Sequence, residues 1–269
     1  MGESKNIVKY HNDLNELTFQ RFNQVDFDFF MVLCSKMRDS GDSEVSITFD
    51  DFKRLSGYSR KTSGERFISE LQAMNHKQLL SQGKIRRGKR IEQFVLFTKF
   101  VIDPEEKTIT AKVNEEYRYF LNEVTKNFTR FELQEFVSLD SKYAKTLYRL
   151  LKQFRTTGLY RVDYQEFKRL MSIPESYSNR DINFKIIKPA IAMLEKYFDE
   201  LNVKVLYEAK RGRPVKGYEF SFTPEKIPQI SKEEVKKEVK KEQTQNRFHN
   251  FEQRDYDFDE LEKKLREKK

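Results

Sequence analysis

Phe52-Lys53-Arg54-Leu55 returns, letter for letter, as Phe167-Lys168-Arg169-Leu170. The surroundings correspond as well. Upstream, Met37-Arg38-Asp39-Ser40-Gly41 is matched by Phe154-Arg155-Thr156-Thr157-Gly158. Downstream, each copy runs into a polar turn, an apolar-periodic helix and a basic, Gly-containing hairpin. A four-residue identity is weak by itself, but the shared order of elements is the self-similarity of a duplicated module. Each module is about a hundred residues, within the usual size of a domain.

The chain has 269 residues, 35% of them charged, with a formal net charge of +9. Aromatic residues make up 14%, almost all Phe and Tyr, which is enough for two modest cores and unlike a disordered chain. A basic balance favours nucleic acid or an anionic membrane as partner. No apolar run approaches the length of a membrane span, and the first residues have no secretory h-region, so a cytoplasmic protein is expected. Cys34 is the single cysteine, which excludes intrachain disulfides and Cys-based zinc sites; its apolar neighbours make it a core residue.

Phe22, Val25, Phe29, Val32 and Leu33 follow helical spacing, and Gly41 with Asp42 ends the pattern. Val45-Ser46-Ile47 reads as a strand, and Thr48 as the N-cap of the helix carrying the first Phe-Lys-Arg-Leu. After the turn at Gly57-Tyr58-Ser59, a helix is predicted from about Ser63 to Leu80. A hairpin then turns at Gly88 and returns through Phe94 to Val101. The second module repeats the plan. Tyr143, Leu147, Leu150, Leu151 and Phe154 form one helical stripe, Gly158 stops it, and Tyr160 to Val162 is the strand. Ile173 to Tyr177 is the turn. The helix that follows buries Ile186, Ala190, Met193, Leu194 and Tyr197, with Pro189 kinking it or starting a new stretch. The closing hairpin turns at Gly212, with Tyr218, Phe220 and Phe222 alternating with polar residues.

Helix, strand, helix-turn-helix and hairpin is the order of a winged helix. The expected fold class is α+β, two tandem winged-helix domains with a flexible charged C-terminal tail. The expected domains are 1–124 and 125–224. Residues 225–269 form a Lys/Glu-rich linker and an aromatic-acidic tail.

The helix after each turn is the candidate reader, because a helix fits the major groove and its N-terminal residues reach base edges. In the first module these residues are Arg60, Lys61, Thr62, Ser63 and Arg66. In the second they are Ser178, Asn179, Arg180, Asn183, Lys185 and Lys188. Arg suits guanine and Asn suits adenine, whereas Lys more often meets phosphate. The hairpins add Lys84, Arg86, Arg87, Lys89 and Arg90, then Lys210, Arg211, Arg213 and Lys216. Basic hairpins of this kind lie along the backbone or in the minor groove. Each group alone could be an ordinary solvated face; the repetition favours the DNA reading.

Catalytic readings fail for lack of residues. There is no Gly-x-x-x-x-Gly-Lys-Ser/Thr, and His11, His76 and His249 are scattered. Asp50-Asp51 and Glu115-Glu116 read as helix N-terminal charges. No enzyme activity, metal or cofactor is expected.

Residues 14–222 resemble the initiator replication proteins of iteron-type theta-replicating plasmids, the Rep_3 or RepB-like family. The resemblance rests on Ser138-Leu-Asp-Ser-Lys-Tyr-Ala-Lys-Thr-Leu-Tyr-Arg-Leu-Leu-Lys-Gln-Phe154, Ile173-Pro-Glu-Ser-Tyr177, Ile187-Lys-Pro-Ala-Ile191 and Lys210-Arg-Gly-Arg-Pro-Val-Lys-Gly-Tyr-Glu-Phe-Ser-Phe222. It implies a non-enzymatic initiator that binds direct repeats (iterons) in double-stranded origin DNA as a monomer. By the same resemblance, domain 125–224 is the principal DNA reader. Domain 1–124 adds DNA contact and the interface of a homodimer that is in equilibrium with the monomer and represses its own gene at an inverted repeat. Host initiator and replicative helicase are the implied partners. Carried over by position, Asn183, Lys185 and Phe184, the last against a thymine methyl, are the implied specificity residues. Asn183 and Phe184 stand where some relatives have Arg, so base preference does not transfer. Two rival classes are a tandem winged-helix transcriptional regulator, which would use the same surface as a stable dimer on an inverted repeat, and a primosome adaptor, which would bind mainly through protein contacts and single-stranded DNA.

Overall fold

A computed structural model describes residues 6–226 apart from Asp42, Arg60, Gln82, Gly88, Lys89 and Glu123, with backbone alone at 78–81, 83–87, 90, 91 and 93. Within it the repeat becomes geometry. Strand β1 (Ile7–His11) comes first, then α1 (Gln24–Lys36), β2 (Val45–Thr48), α2 (Phe49–Leu55) and α3 (Gly64–Ser81). Four strands follow, β3 (Gly83–Arg87), β4 (Arg90–Phe94), β5 (Phe97–Asp103) and β6 (Thr108–Val113). Beyond a 3-10 turn at Glu115–Phe120 come β7 (Phe128–Glu132), α4 (Leu133–Val137), α5 (Lys142–Gln153), β8 (Leu159–Asp163) and α6 (Tyr164–Leu170). The second reading helix is made of α7 (Asn179–Asp181), a π segment (Ile182–Ile187) and α8 (Lys188–Leu194), followed by β9 (Asn202–Tyr207) and β10 (Val215–Ser221).

The repeated tetrapeptide has the same job in α2 and α6. Phe52, Leu55, Phe167 and Leu170 are buried, and the Arg of each copy reaches back three residues to an acid, Asp51 for Arg54 (2.7 Å) and Glu166 for Arg169 (2.8 Å). Phe52 meets Phe29 and Phe67 edge-on at 5.2 and 6.1 Å, while Phe167 packs on Tyr218 and Phe220. Each such buried ring contributes roughly 1.5–3 kcal/mol. Both helices also end alike. The N–H of Tyr58 donates to the Lys53 carbonyl and that of Ile173 to the Lys168 carbonyl, each at 2.9 Å. This is the Schellman closure, which needs a left-handed residue just past the cap.

That residue is Gly57 (φ 63°) in the first copy and Ser172 (φ 51°) in the second. A side chain there is strained, and the Ser172 hydroxyl is buried without a hydrogen-bond partner. Ser172→Gly is therefore expected to stabilise the protein by about 1 kcal/mol, read as a higher urea midpoint at unchanged slope.

The sheets repeat as well. β2 pairs with β6 and β6 with β5, all antiparallel; β8 pairs with β10 and β10 with β9 in the same way. The counterpart of the β9–β10 wing is therefore β5–β6. This corrects the expected return strand from Phe94 to Val101. The basic hairpin exists as β3–β4, with Arg87 opposite Arg90, but β4 stops at Phe94 and a separate strand begins at Phe97. The break is pinned by Asn114, whose N–H donates to the Leu96 carbonyl (2.7 Å) and whose side-chain amide donates to the Val95 carbonyl (3.1 Å). The first module thus carries a true wing, β5–β6, and an additional basic arm, β3–β4. The expected tip residues Gly88 and Lys89 lie outside the described residues, as does the C-terminal tail.

The modules join through a buried polar seam. β1 pairs with β7, so the start of the chain is stitched to residues past the joint. Arg149 of α5, fully buried, donates to the carbonyls of Leu14 (3.0 Å) and Leu17 (2.9 Å) and to the side chain of Asn15 (3.1 Å). Asn15 in turn donates to Thr129 (2.8 Å) and Gln153 (2.9 Å). Lys145 directs its ammonium to Asp28 of α1 (2.6 Å) and to the carbonyls of Phe136 (2.8 Å) and Val137 (3.2 Å), so each of its three protons has an acceptor. Burial pushes the Asp28 carboxyl up and the Lys145 ammonium down from their usual ranges, and the ion pair opposes both shifts. Cys34 is buried in the core.

Candidate nucleic-acid interface

The second reading helix starts on a capping box. The Ser178 hydroxyl accepts from the Asp181 N–H (3.2 Å), and the Asp181 carboxylate accepts from the Ser178 N–H (3.1 Å). Ser178 is thereby committed to starting the helix. Bonds from Lys185 and Ser178 hold the Asp181 carboxyl at about 2, and the same pair raises Lys185. Lys185, 2.7 Å from Asp181, is a partnered cation that also lies over the Tyr177 ring.

One turn further on, the helix widens. The Lys188 N–H donates to the Asn183 carbonyl, five residues back, which is π geometry. Pro189 explains it in part, since it has no N–H to donate to the carbonyl four residues back. In this stretch Ile182, Ile186 and Ile187 are buried, Asn183 is half-buried, and Phe184 projects with 56% of its surface exposed. Arg180 and Lys188, one turn away on either side, both lie over the Phe184 ring, at 5.8 and 4.4 Å from its centre. The structure thus brings Arg180, Phe184 and Lys188 together as one exposed stripe, with Asn179 exposed at the N-terminal end.

The second wing turns at Gly212 (φ 82°) and Arg213 (φ 42°). Arg213 lies over Tyr207, a ring 48% exposed on β9, at 5.1 Å. Sequence reasoning misses Tyr207; its place opposite Val215 in the hairpin is the signal that marks it. Lys210 is paired with Glu208 (2.7 Å), which raises its pKa. Arg211 and Lys216 are exposed and, among the described residues, form no ion pair.

In the first module, Lys61 and Thr62 precede α3, and the Ser63 hydroxyl accepts from the Arg66 N–H (3.3 Å). Arg66 reaches along the helix to Glu70 (3.1 Å). Arg60 and Lys89 lie outside the described residues. Lys84, Arg86, Arg87 and Arg90 are placed by backbone on the β3–β4 arm. The β5–β6 turn, by contrast, reads Asp103-Pro104-Glu105-Glu106-Lys107, with Asp103 accepting from the N–H groups of Glu105 (3.0 Å) and Glu106 (2.9 Å). The two wings therefore differ in sign at their tips. Among the described residues no His, Cys, Asp or Glu group is arranged to hold a metal, and no helix is long and apolar enough to cross a membrane.

Known proteins share this organisation. The family model described as Initiator Replication protein, WH1 matches residues 7–152, and that described as Initiator Rep protein, WH2 matches residues 163–222. The first match runs through α5, the helix whose Lys145 and Arg149 hold the N-terminal segment. A "Probable replication protein rep" of Bifidobacterium longum (strain NCC 2705) is 33% identical over 235 residues, spanning 87% of this chain and 78% of that one. Among solved structures, the Pi initiator protein in complex with iteron DNA aligns with a TM-score of 0.61 at 14% identity, over 84% of this chain and 100% of that one. At that identity the likeness is one of fold. With both winged-helix regions matched in order over most of its length, the chain belongs to the family of initiator replication proteins.

Proposed function

We propose that this initiator binds repeated double-stranded sites (iterons) at its origin with both winged helices and starts replication by assembling host factors there, with no catalysis of its own. The observation that carries the reading is the exposed Arg180–Phe184–Lys188 stripe on the reading helix of a module whose wing carries Arg211, Arg213 and Lys216. The second module, 125–224, is the principal reader. The first, 1–124, adds contacts through α3 and the β3–β4 arm. Because the second module docks intramolecularly once the first is bound, affinity gains from effective concentration.

Self-association belongs on the first module. Its sheet ends in β5, an edge strand with unpaired backbone groups and Val101 42% exposed. A dimer formed there would hold two reading modules for an inverted repeat, the arrangement for repressing its own gene. Host initiator and replicative helicase are the partners such a complex would recruit in the cytoplasm.

The test is binding to a duplex taken from upstream of the protein's own coding region, with salt varied. Replacing Lys84, Arg86, Arg87, Lys89 and Arg90 with Gln should weaken binding and flatten its salt dependence, by about 0.9 in log–log slope for each phosphate that the arm no longer neutralises. Glu105→Gln with Glu106→Gln should leave both unchanged or strengthen binding. The reverse pattern would move the first module's DNA contact from the arm to the wing.

A further inference from the structure

Lys9 of β1 stands directly opposite Arg130 of β7. Like charges in direct opposition on an antiparallel pair destabilise it. The β1–β7 ribbon buries Val8, Tyr10, Thr129 and Phe131 on its inner face, so Lys9 and Arg130 share the outer face with His11 and Phe128. Two more cations are tied to the ribbon. Arg38, just after α1, donates to the Ile7 carbonyl (3.4 Å), and Arg155, just after α5, donates to the Arg130 carbonyl (3.1 Å). Lys9 and Arg155 both lie over the Phe128 ring, at 4.6 and 5.5 Å from its centre. Burial lowers the pKa of Lys9, Asp39 opposes that shift, and Arg130, Arg38 and Arg155 add to it. Among the described residues, carboxylates stand at the margins of this cluster. Asp39 meets Arg38 (3.3 Å), Glu225 is closer to Lys152 (2.8 Å) than to Arg155 (3.9 Å), and Glu132 lies opposite Ile7. Lys9 and Arg130 have no ion pair among the described residues. Cations near helix C-termini are ordinary, which accounts for Arg38 and Arg155. It does not account for Lys9 facing Arg130.

We infer that the outer face of the β1–β7 ribbon is a binding site for a phosphate-bearing ligand, separate from the surface that reads DNA. The strand registers support the separation. Thr48 pairs with Thr108 beside the turn of the first wing, and Asp163 pairs with Gly217 on the side of the second wing's tip. β2 and β8 therefore begin at the ends away from the wing tips, and Arg38 and Arg155 precede those ends. The reading helices follow from the opposite ends, through α2 and α6. Phosphate suits the cluster because arginine forks take its oxygens in pairs. An anion seated between Lys9 and Arg130 also relieves their repulsion. The positive charge continues along the same face, where His11 lines an adjoining cavity of about 510 Å³ with Arg118, Lys126 and Asn127. A ligand with several phosphates thus fits better than a single one.

The experiment titrates inorganic tripolyphosphate into the full chain and follows the backbone amide resonances of β1 and β7. Those of Lys9, His11, Phe128 and Arg130 should shift together and saturate. Lys9→Gln with Arg130→Gln should weaken the affinity read there by about tenfold or more, the loss of two charge-assisted contacts. Arg211→Gln, Arg213→Gln and Lys216→Gln together should leave it unchanged. Without tripolyphosphate, Arg130→Gln should raise the urea midpoint, because it removes one of two opposed cations. A nucleoside triphosphate and an unrelated duplex, added in turn, distinguish the sources of phosphate. Displacement by the first assigns a free nucleotide, and displacement by the second a nucleic-acid backbone. Absence of a saturable shift at the ribbon, or an unchanged affinity in the double variant, would overturn the inference. So would a lower urea midpoint for Arg130→Gln, since the opposed pair would then hold no repulsion for an anion to relieve. None of these outcomes bears on DNA reading by the helices, which the upstream duplex tests separately.

Discussion

Lys145→Met is expected to destabilise the protein by about 3–5 kcal/mol, because it leaves the buried Asp28 carboxylate without its cation and the Phe136 and Val137 carbonyls without a donor. Lys145 is fully buried and Asp28 nearly so, which excludes solvent as a substitute partner. The double variant Asp28→Leu with Lys145→Met should recover most of that loss, since an apolar pair of similar volume is often as stable as a buried ion pair. Urea unfolding of wild type, the single variant and the double variant measures both effects. A single variant within about 1 kcal/mol of wild type would contradict the seam described here. Asp28 and Lys145 are 117 residues apart in the chain. Their pairing therefore fixes the first module against α5, and with it the relation between the two modules.

The second large effect concerns DNA. Arg211→Gln, Arg213→Gln and Lys216→Gln together should weaken binding on the order of a hundredfold at physiological salt, and reduce the salt slope by up to about 2.7. Among the described residues none of these three has a carboxylate partner, whereas Lys210 already shares its charge with Glu208. Lys210→Gln alone should therefore cost less than any of the three. Binding measured at several salt concentrations separates the two cases. Equal losses from Lys210 and Arg211 would mean that the Glu208 pair opens freely on binding.

Much of this is legible in the sequence because the signals are local. The repeated Phe-Lys-Arg-Leu marks α2 and α6, since Phe and Leu three apart fall on one face of a helix and are buried together in both copies. Gly212 marks the second wing, and Pro189 marks the disturbance that turns out to be a π segment. Other features have no local signal. β1 pairs with β7 across more than a hundred residues, and nothing in Ile7–His11 names its partner. The first wing is misplaced by sequence reasoning because Phe94 to Val101 is nearly continuous in apolar residues, with no Gly or Pro at the break. Asn114, far along the chain, makes the break at Val95-Leu96. The Asp103-Pro104 turn that closes the true wing is visible in the sequence, but the denser positive charge of residues 84–90 outweighs it. At the site, Arg66, Arg180, Lys185 and Lys188 lie on helices and Lys210, Arg211, Arg213 and Lys216 on the second hairpin, as the sequence pattern has them. It does not separate the partnered ones, Lys185 and Lys210, from Arg211 and Lys216, which have no ion pair among the described residues, because pairing depends on the backbone that brings Asp181 and Glu208 into reach.

The most direct test of the central claim is a footprint of the full chain on DNA from upstream of its own coding region, repeated as salt is raised. The account predicts protection of several direct repeats in helical phase, lost steeply with salt. Protection of one inverted repeat alone would indicate a repressor, and no protection at any salt would contradict the account outright.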